Sequence, residues 1–178
     1  MRDHLLDIVQ HTHGLGIISF VKITGSTTET AVDAMSEDRT VIVQAKFKAP
    51  IAEFVGTFGM PNLGKLNTIL NLPVYSEDAQ LSINTQDRNG ETIPVGIHFE
   101  NKEGDFKNDY RFMTAEIVNE KLKAVKFKGV KWGVDIVPTN ANIQRLKFQA
   151  SANSEETTFT AKTENGDLKF YFGDASSH

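Results

Sequence analysis

The stretch NLGKLNTILNLPVYSEDAQLSI, residues 62–83, decides the fold class that the sequence predicts. Its first half has four apolar residues at the spacing that places side chains on one face of an α-helix. These residues are Leu63, Leu66, Ile69 and Leu70. Pro73 ends this helix, because the residue before a proline is disfavoured in the α-helical region. From Ala79 onward apolar and polar residues alternate, which predicts a half-buried strand that follows a short amphipathic helix.

Segments with similar patterns lie on both sides of this stretch. Met1–His13 has a helical apolar face and is followed by Gly14 and Gly16, which favour the end of a helix. Alternation and turn residues predict further strands. These strands are Ile17–Ile23, Thr30–Met35, Thr40–Phe47, Ile93–Phe99 and Asp109–Met113, and Ile51–Phe58 is a strand or a loop. Asn89-Gly90 and Gly104-Asp105 are the turn signals between the later strands.

The last third of the chain repeats the order of a helix followed by a hairpin. Thr139 or Asn140 can cap a helix, and Asn165-Gly166 lies between two alternating runs, Thr157–Lys162 and Leu168–Phe172. The apolar face of this helix is Ile143, Leu146 and Ala150. Thr114–Glu120 is expected to link two units. The sequence therefore predicts an internal structural repeat, with a first domain at residues 1–118 and a connector plus a partial second domain at residues 119–178.

Composition narrows the class of protein. The 178 residues are 39% hydrophobic and 24% charged, with a net charge of −4, which is typical of a globular protein. No apolar run approaches the ~20 residues of a membrane span, and Met1 does not begin a signal peptide. Cysteine is absent, so disulfides, cysteine-ligated metals and thiol nucleophiles are excluded. The absence of cysteine also fits a reducing compartment.

Catalytic patterns are weak in this sequence. The histidines have no Asp, Glu or His neighbours at metal-binding spacing. They are His4, His11, His13, His98 and His178. The carboxylate pairs Asp3/Asp7 and Glu37/Asp38 are typical of a solvated surface, and the stretch GMPNLGK lacks the spacing of a phosphate-binding loop. We therefore expect no enzyme, no metal and no cofactor.

Basic residues suggest an anionic partner instead. Residues 121–131 contain five lysines, namely Lys121, Lys123, Lys126, Lys128 and Lys131. If this segment is a strand, Lys126 and Lys128 face away from Val125 and Phe127. That pattern fits an ordinary division between solvent and core or a strip that faces phosphates. Three further basic residues, Lys65, Arg145 and Lys147, lie off the apolar stripes of the second and third predicted helices.

Three stretches resemble one known family. They are residues 62–83, the opening DHLLDIV with GLGIISF, and IVPTNANIQRLKFQAS with TTFTAKTENGDLKFYFGD. Together they are similar to the sliding clamps of T-even-type phages, the DNA polymerase processivity factors. The resemblance implies an α+β DNA-clamp architecture, in which repeated units of helix and antiparallel sheet form a curved continuous sheet with the helices on one face. It also implies a longer family subunit, so we expect this chain to be shortened at its C-terminus.

The resemblance implies a non-catalytic ring subunit. Such a ring encircles double-stranded DNA without reading its sequence and tethers a replicative DNA polymerase after a clamp loader has placed it. The family favours a trimeric homo-oligomer, and the viral protein would act in the bacterial host cytoplasm without contacting a membrane. The residues that we expect to face DNA are Lys65, Arg145, Lys147, Lys121 and Lys123. A pocket for partner peptides is assigned to Val130, Trp132 and Phe127, although core packing is an alternative role for Phe127.

The first predicted helix departs from the family pattern. Asp3 and Asp7 lie on the outer face of the first predicted helix, where DNA phosphates would favour lysine. An alternative function from another class is a β-rich small-ligand-binding protein or a virion structural protein with no DNA role. A ligand-binding barrel would enclose an apolar cavity with aromatic side chains pointing inward, whereas a clamp would gather its helices on one face of a sheet.

Overall fold

The computed structural model describes residues 1–88, 90–123 and 129–173. The chain divides into two compact units, Met1–Lys126 and Phe127–His178. Both are mixed helix and antiparallel sheet, and the described residues contain four α-helices. None of the helices in these ranges has the length and apolar character needed to cross a membrane.

The first unit contains three α-helices, two short 3₁₀ turns and seven strands. The helices are α1 (Arg2–His11), α2 (Leu63–Leu70) and α3 (Ala115–Lys121), and the 3₁₀ turns are His13–Leu15 and Pro73–Tyr75. The strands are β1 (Val21–Gly25), β2 (Thr30–Met35), β3 (Ile42–Lys46), β4 (Gly56–Met60), β5 (Gln80–Arg88), β6 (Glu91–Glu100) and β7 (Lys107–Arg111). The predicted helix, turn and strand of residues 62–83 are confirmed, as is the pairing of β2 with β3.

The seven strands form two antiparallel sheets that meet at one point. The first sheet has the order β3-β2-β1-β4, and the second has the order β5-β6-β7. Gly59 in β4 and Met113, just beyond β7, exchange two main-chain hydrogen bonds of 3.0 and 2.8 Å. A β-carbon built on Gly59 would lie 2.8 Å from Cγ2 of Val118 in α3, so the absence of a side chain lets α3 cover this junction.

Helices α1 and α2 lie side by side and run antiparallel. The first residue of α1, Arg2, donates from Nη2 to the main-chain oxygen of Leu70 at the end of α2, at 2.8 Å. At the other end, a β-carbon built on Gly64 would lie 3.6 Å from Cε1 of His13, just beyond α1. Asn62 caps α2, because its side chain accepts a hydrogen bond from the main-chain nitrogen of Lys65 at 3.2 Å.

One apolar core joins both helices to both sheets. Each of the two helices contributes its predicted face, and the strands contribute alternate residues. The fully buried members include Leu5, Leu63, Leu66, Val21, Ile23, Phe58, Met60, Ile97 and Phe99. The residues that alternate with them, such as Lys22 and His98, are directed away from this core. The helices therefore cover one face of the two sheets.

Two sequence predictions in this unit were wrong in extent or type. The predicted strand Ile17–Ile23 begins only at Val21, whose partner is Met60 in β4. Pro61 follows Met60 and has no N–H to extend the ladder. The predicted link Thr114–Glu120 instead contains α3, in which Val118 is fully buried. Residue 118, where the sequence analysis ends the first domain, lies inside this helix.

Two predicted features involve residues that the structure leaves undescribed. Of the Asn89-Gly90 turn, Asn89 lies outside the described residues, while Gly90 has the positive φ of 84° that such a turn requires. The centre of the lysine-rich segment, residues 124–128, also lies outside them. A strand over the whole of this segment is wrong, because Lys121 is the last residue of α3, and the facing of Lys126 and Lys128 stays untested.

The second unit contains α4 (Asn140–Ala152), β8 (Phe159–Glu164) and β9 (Asp167–Phe172). The predicted cap is confirmed, because Thr139 Oγ1 accepts a hydrogen bond from the main-chain nitrogen of Asn142 at 3.2 Å. The predicted hairpin is also confirmed, and Asn165 and Gly166 both have positive φ, at 53° and 88°. No side chain of α4 is buried, so its apolar face lies open in the described part of the unit.

Candidate nucleic-acid interface

The outer surface of α1 and α2 is the first place to test the predicted DNA-facing set. On α2 the residues opposite the core are Lys65 and Thr68, both exposed. On α1 the corresponding residues are Asp3, Asp7 and Gln10, all exposed. This surface therefore carries one lysine and two carboxylates, which confirms that the carboxylates of α1 lie on its outer face.

Lys65 extends along this surface toward the second sheet. Its Nζ atom donates to the main-chain oxygen of Asp109 in β7 at 3.4 Å. Among the described residues no carboxylate pairs with the Lys65 ammonium. A charge that contacts only a carbonyl oxygen keeps most of its capacity to bind an anion.

Asp7 has a partner on its own helix. Its Oδ1 atom lies 3.1 Å from Nδ1 of His11, and both side chains are more than half exposed. An exposed pair of this kind contributes little to stability. Its effect is local, because a protonated His11 offsets the charge of Asp7 on the outer surface.

Helix α4 of the second unit carries the two other residues of the main predicted set. Arg145 and Lys147 are exposed, and neither makes an ion pair with a described residue. Neither α4 nor α2 contains a carboxylate, whereas 23 of the 178 residues of the chain are Asp or Glu. The helices thus differ in charge from the acidic chain to which they belong.

Lysines on or beside the strands mostly have carboxylate partners. The pairs are Lys46–Glu29 at 2.6 Å, Lys102–Asp78 at 2.8 Å, Lys107–Glu100 at 3.2 Å, Lys162–Glu164 at 2.7 Å and Lys169–Glu164 at 3.1 Å. The basic residues of α2 and α4 are therefore more available to an external anion than these strand lysines.

The remaining predicted basic residues lie at the end of the first unit. Lys121 is the last residue of α3, and Lys123 follows the C-cap residue Leu122. Both are exposed. Leu122 between them is buried, so the backbone is anchored while the two lysine side chains extend into solvent.

The residues predicted to form a peptide pocket are exposed rather than enclosed. Val130 is 55% exposed and Trp132 is 69% exposed, while Phe127 lies outside the described residues. The second unit also has a concave site that was not predicted from the sequence. It is an open groove of 1030 Å³ whose lining includes Ile136, Ile143, Leu146, Arg145 and Phe170, but not Val130 or Trp132.

This groove was missed because its apolar residues occur at helix and strand spacing. Ile143 and Leu146 were assigned to the buried face of a helix, which is the ordinary role of such residues. In the structure Ile143 is 39% exposed and faces the groove. The signal that could have identified it is the run Ile136-Val137-Pro138, an apolar segment with no polar alternation immediately before the helix.

A polar cluster lies on the face of the second sheet that is opposite the core. Nδ1 of His98 in β6 lies 3.0 Å from Oδ1 of Asp109, and its Nε2 lies 3.5 Å from Oε2 of Glu100. The hydrogen bond from His98 lowers the pKa of Asp109 below its ordinary value. The pKa of Glu100 is lowered chiefly by Lys107. The sequence alone gives no reason to connect His98 with Asp109, because the two residues meet only through the pairing of β6 with β7.

Within the described residues no group of three or more His, Asp or Glu side chains has a geometry that could hold a metal ion. Comparison with models of protein families found no match. Comparison with curated proteins found no significant similarity.

Proposed function

We propose that the chain is a subunit of a DNA sliding clamp, a non-catalytic processivity factor that encircles double-stranded DNA and tethers a replicative polymerase. The observation that carries the proposal is the antiparallel pair α1/α2, which covers one face of two sheets joined at Gly59 and Met113. The second unit begins again with a helix followed by a hairpin. In this proposal the helices face the DNA and the sheets form the outside of the ring.

Charge supports the same proposal. A ring that slides must attract the phosphate backbone weakly, because each neutralised phosphate strengthens binding and increases its dependence on salt. Helices α2 and α4 provide Lys65, Arg145 and Lys147 without carboxylates of their own. The rest of the chain is acidic, and the net charge is −4. In this proposal Lys121 and Lys123 extend the set along the connector.

The form of the sheets favours this proposal over a ligand-binding barrel. A barrel has no free edge strands, whereas β3 and β5 are edge strands of the sheets described in the first unit. The proposed partners are double-stranded DNA, a replicative polymerase, a clamp loader and further copies of the chain in a trimeric ring. The proposed place of action is the cytoplasm of a bacterial host.

A threading experiment tests encirclement without requiring the partners to be known. Linear duplex DNA is attached to beads at one end, and a bulky protein blocks the other end either before or after the protein is added at low salt. A ring enters only through the free end and cannot leave once that end is blocked, so DNA blocked after the addition should retain the protein through a wash at higher salt, whereas DNA blocked beforehand should not. Equal retention in the two orders of addition would mean ordinary surface binding and would overturn the proposal. Sedimentation velocity of the same protein measures whether it is a trimer.

A further inference from the structure

His98 contacts a carboxylate through each of its two ring nitrogens. The distances are 3.0 Å from Nδ1 to Asp109 Oδ1 and 3.5 Å from Nε2 to Glu100 Oε2. A neutral imidazole has one N–H and one acceptor nitrogen, and an ionised carboxylate only accepts hydrogen bonds. In the neutral ring one nitrogen would therefore oppose a carboxylate oxygen, whereas an imidazolium donates toward both. Both contacts are attractive only when the ring is an imidazolium.

The other charged groups of the cluster act on the two carboxylates. Glu100 lies 3.2 Å from Nζ of Lys107, and Arg111 is the cation next to Asp109 on the same face of β7. Helix α2 places the Lys65 ammonium 3.4 Å from the main-chain oxygen of Asp109. Strand β5 faces the cluster with uncharged residues, Ser82 opposite His98 and Asn84, whose amide lies 3.4 Å from Asp109.

Strand β7 is the element that this cluster holds. It is five residues long, lies at the edge of its sheet, and is followed, after Phe112, by Met113, which joins the two sheets through Gly59. His98 and Asp109 are direct partners across β6 and β7, and so are Glu100 and Lys107. Side chains in such positions contribute to strand pairing.

We propose that His98 is a pH-dependent cross-link that holds β7 on β6. The cross-link is complete while the imidazole is protonated and the two carboxylates are ionised. As the pH rises and the imidazole loses its proton, one of the two contacts changes from attraction to repulsion and β7 is held less tightly. When the pH falls far enough to protonate Asp109 and Glu100, both contacts are lost because the carboxylates lose their negative charge. This device does not depend on the proposed clamp function.

Hydrogen exchange of the whole chain tests the proposal. Exchange of the β7 amides, corrected for the intrinsic effect of pH, is compared with exchange of β2 at about pH 5.5 and about pH 8, the range in which an imidazole ordinarily changes charge. We expect the relative protection of β7 to fall by about two- to fivefold between these pH values, the size of an exposed ion pair. In His98→Gln this change should be absent. His11→Gln is the control, because His11 pairs with Asp7 on a helix outside this sheet, and it should behave as the wild type.

Two results would overturn the proposal. One is an unchanged pH dependence in His98→Gln, which would place the titrating group elsewhere. The other is a loss of β7 protection in His98→Gln, relative to the wild type, that is equal at both pH values, which would make His98 a merely structural residue. If His98→Gln does not fold, Asp109→Asn provides the same test, because it removes the charge that faces Nδ1 and keeps the shape of the side chain.

Discussion

Arg2 and Leu70 are joined by a hydrogen bond of 2.8 Å from the guanidinium to the main-chain oxygen, although 68 positions separate them in the chain. The last carbonyl groups of a helix have no partner within the helix. The Arg2 guanidinium satisfies one of them at the end of α2, and its positive charge is favourable at a helix C-terminus. One side chain therefore caps α2 and fixes the antiparallel arrangement of α1 beside it.

Replacement of Arg2 by Met tests this contact. The change keeps most of the apolar stem but removes the donor, and we expect the free energy of unfolding to fall by ~1–2 kcal/mol. Urea unfolding followed by circular dichroism measures the effect. Gln10→Ala, at an exposed position of the same helix, should change stability by less than ~0.5 kcal/mol. Equal stability of Arg2→Met and the wild type would show that the bond does not contribute.

Leu66 is central to the fold, since it is fully buried between α2 and the sheets. Leu66→Ala should lower the free energy of unfolding by ~2–5 kcal/mol, because it removes buried methyl groups and leaves a cavity. The same measurement on Leu15→Ala provides the control, because Leu15 is 52% exposed and should be nearly neutral. A small effect at Leu66 would contradict the assignment of this helix face to the core.

Gly59 tests the junction between the sheets. A β-carbon at this position would lie 2.8 Å from Cγ2 of Val118 and 3.1 Å from Cβ of Met113. Gly59→Ala should therefore destabilise the protein by ~1–3 kcal/mol through overpacking. Val118→Ala removes the nearest atom, Cγ2, but keeps the Val118 Cβ, which would lie 3.0 Å from the new β-carbon. The double mutant should therefore lose less stability than the sum of the losses in the two single mutants, by at least ~0.5 kcal/mol. Strict additivity in urea unfolding would contradict a clash between Cγ2 of Val118 and residue 59.

The hairpin of the second unit has a carboxylate with a strongly lowered pKa. The Lys162 ammonium, then the hydroxyl of Tyr171 and the Lys169 ammonium, lower the pKa of Glu164 to about 2. The pKa of a glutamate in the unfolded chain is about 4.3. Because the pKa is lower in the folded hairpin, these contacts contribute their full stabilisation at pH values above about 4.3. The stabilisation is lost as the pH falls toward 2.

An NMR titration of the Glu164 side-chain carboxyl carbon measures this pKa directly. We expect a midpoint near pH 2, and a higher midpoint in Lys162→Gln because the largest cause of the shift is removed. Lys46→Gln, which removes a lysine paired with Glu29 in the first unit, should leave the Glu164 midpoint unchanged. A midpoint in wild-type protein at the value of the unfolded chain would show that the three contacts do not persist in solution.

The sequence was informative where structure depends on near neighbours. Residues 63–70 form the predicted helix because their apolar spacing and the Asn62 cap act within two turns, and Asn165-Gly166 adopts the positive φ values that its hairpin needs. The features it missed depend on distant partners. The start of β1 is set by Met60 and Pro61, and the contact between Arg2 and Leu70 joins two helices whose separate patterns give no sign of it.

Helix α3 was missed although a local signal for it was present. Thr114 before Glu116 is a helix-start pattern, and Val118 and Leu122 are one turn apart. The candidate interface was predicted only as single residues, since charge pairing decides which lysines are available, and pairs such as Lys102 with Asp78 form between segments far apart in sequence.

Neutralisation of the predicted DNA-facing residues tests their role independently of ring formation. We expect the triple variant Lys65→Gln, Arg145→Gln and Lys147→Gln to bind duplex DNA more weakly and with a less steep dependence on salt. Each lost phosphate contact should reduce the slope of log K against log salt concentration by about 0.9. The matched control replaces Lys46, Lys102 and Lys107 by Gln, which changes the net charge equally but removes lysines already paired with carboxylates. Fluorescence anisotropy with a short duplex at several salt concentrations measures both. If the two triple variants lose the same slope, net charge alone governs binding, and α2 and α4 have no special role in contacting DNA.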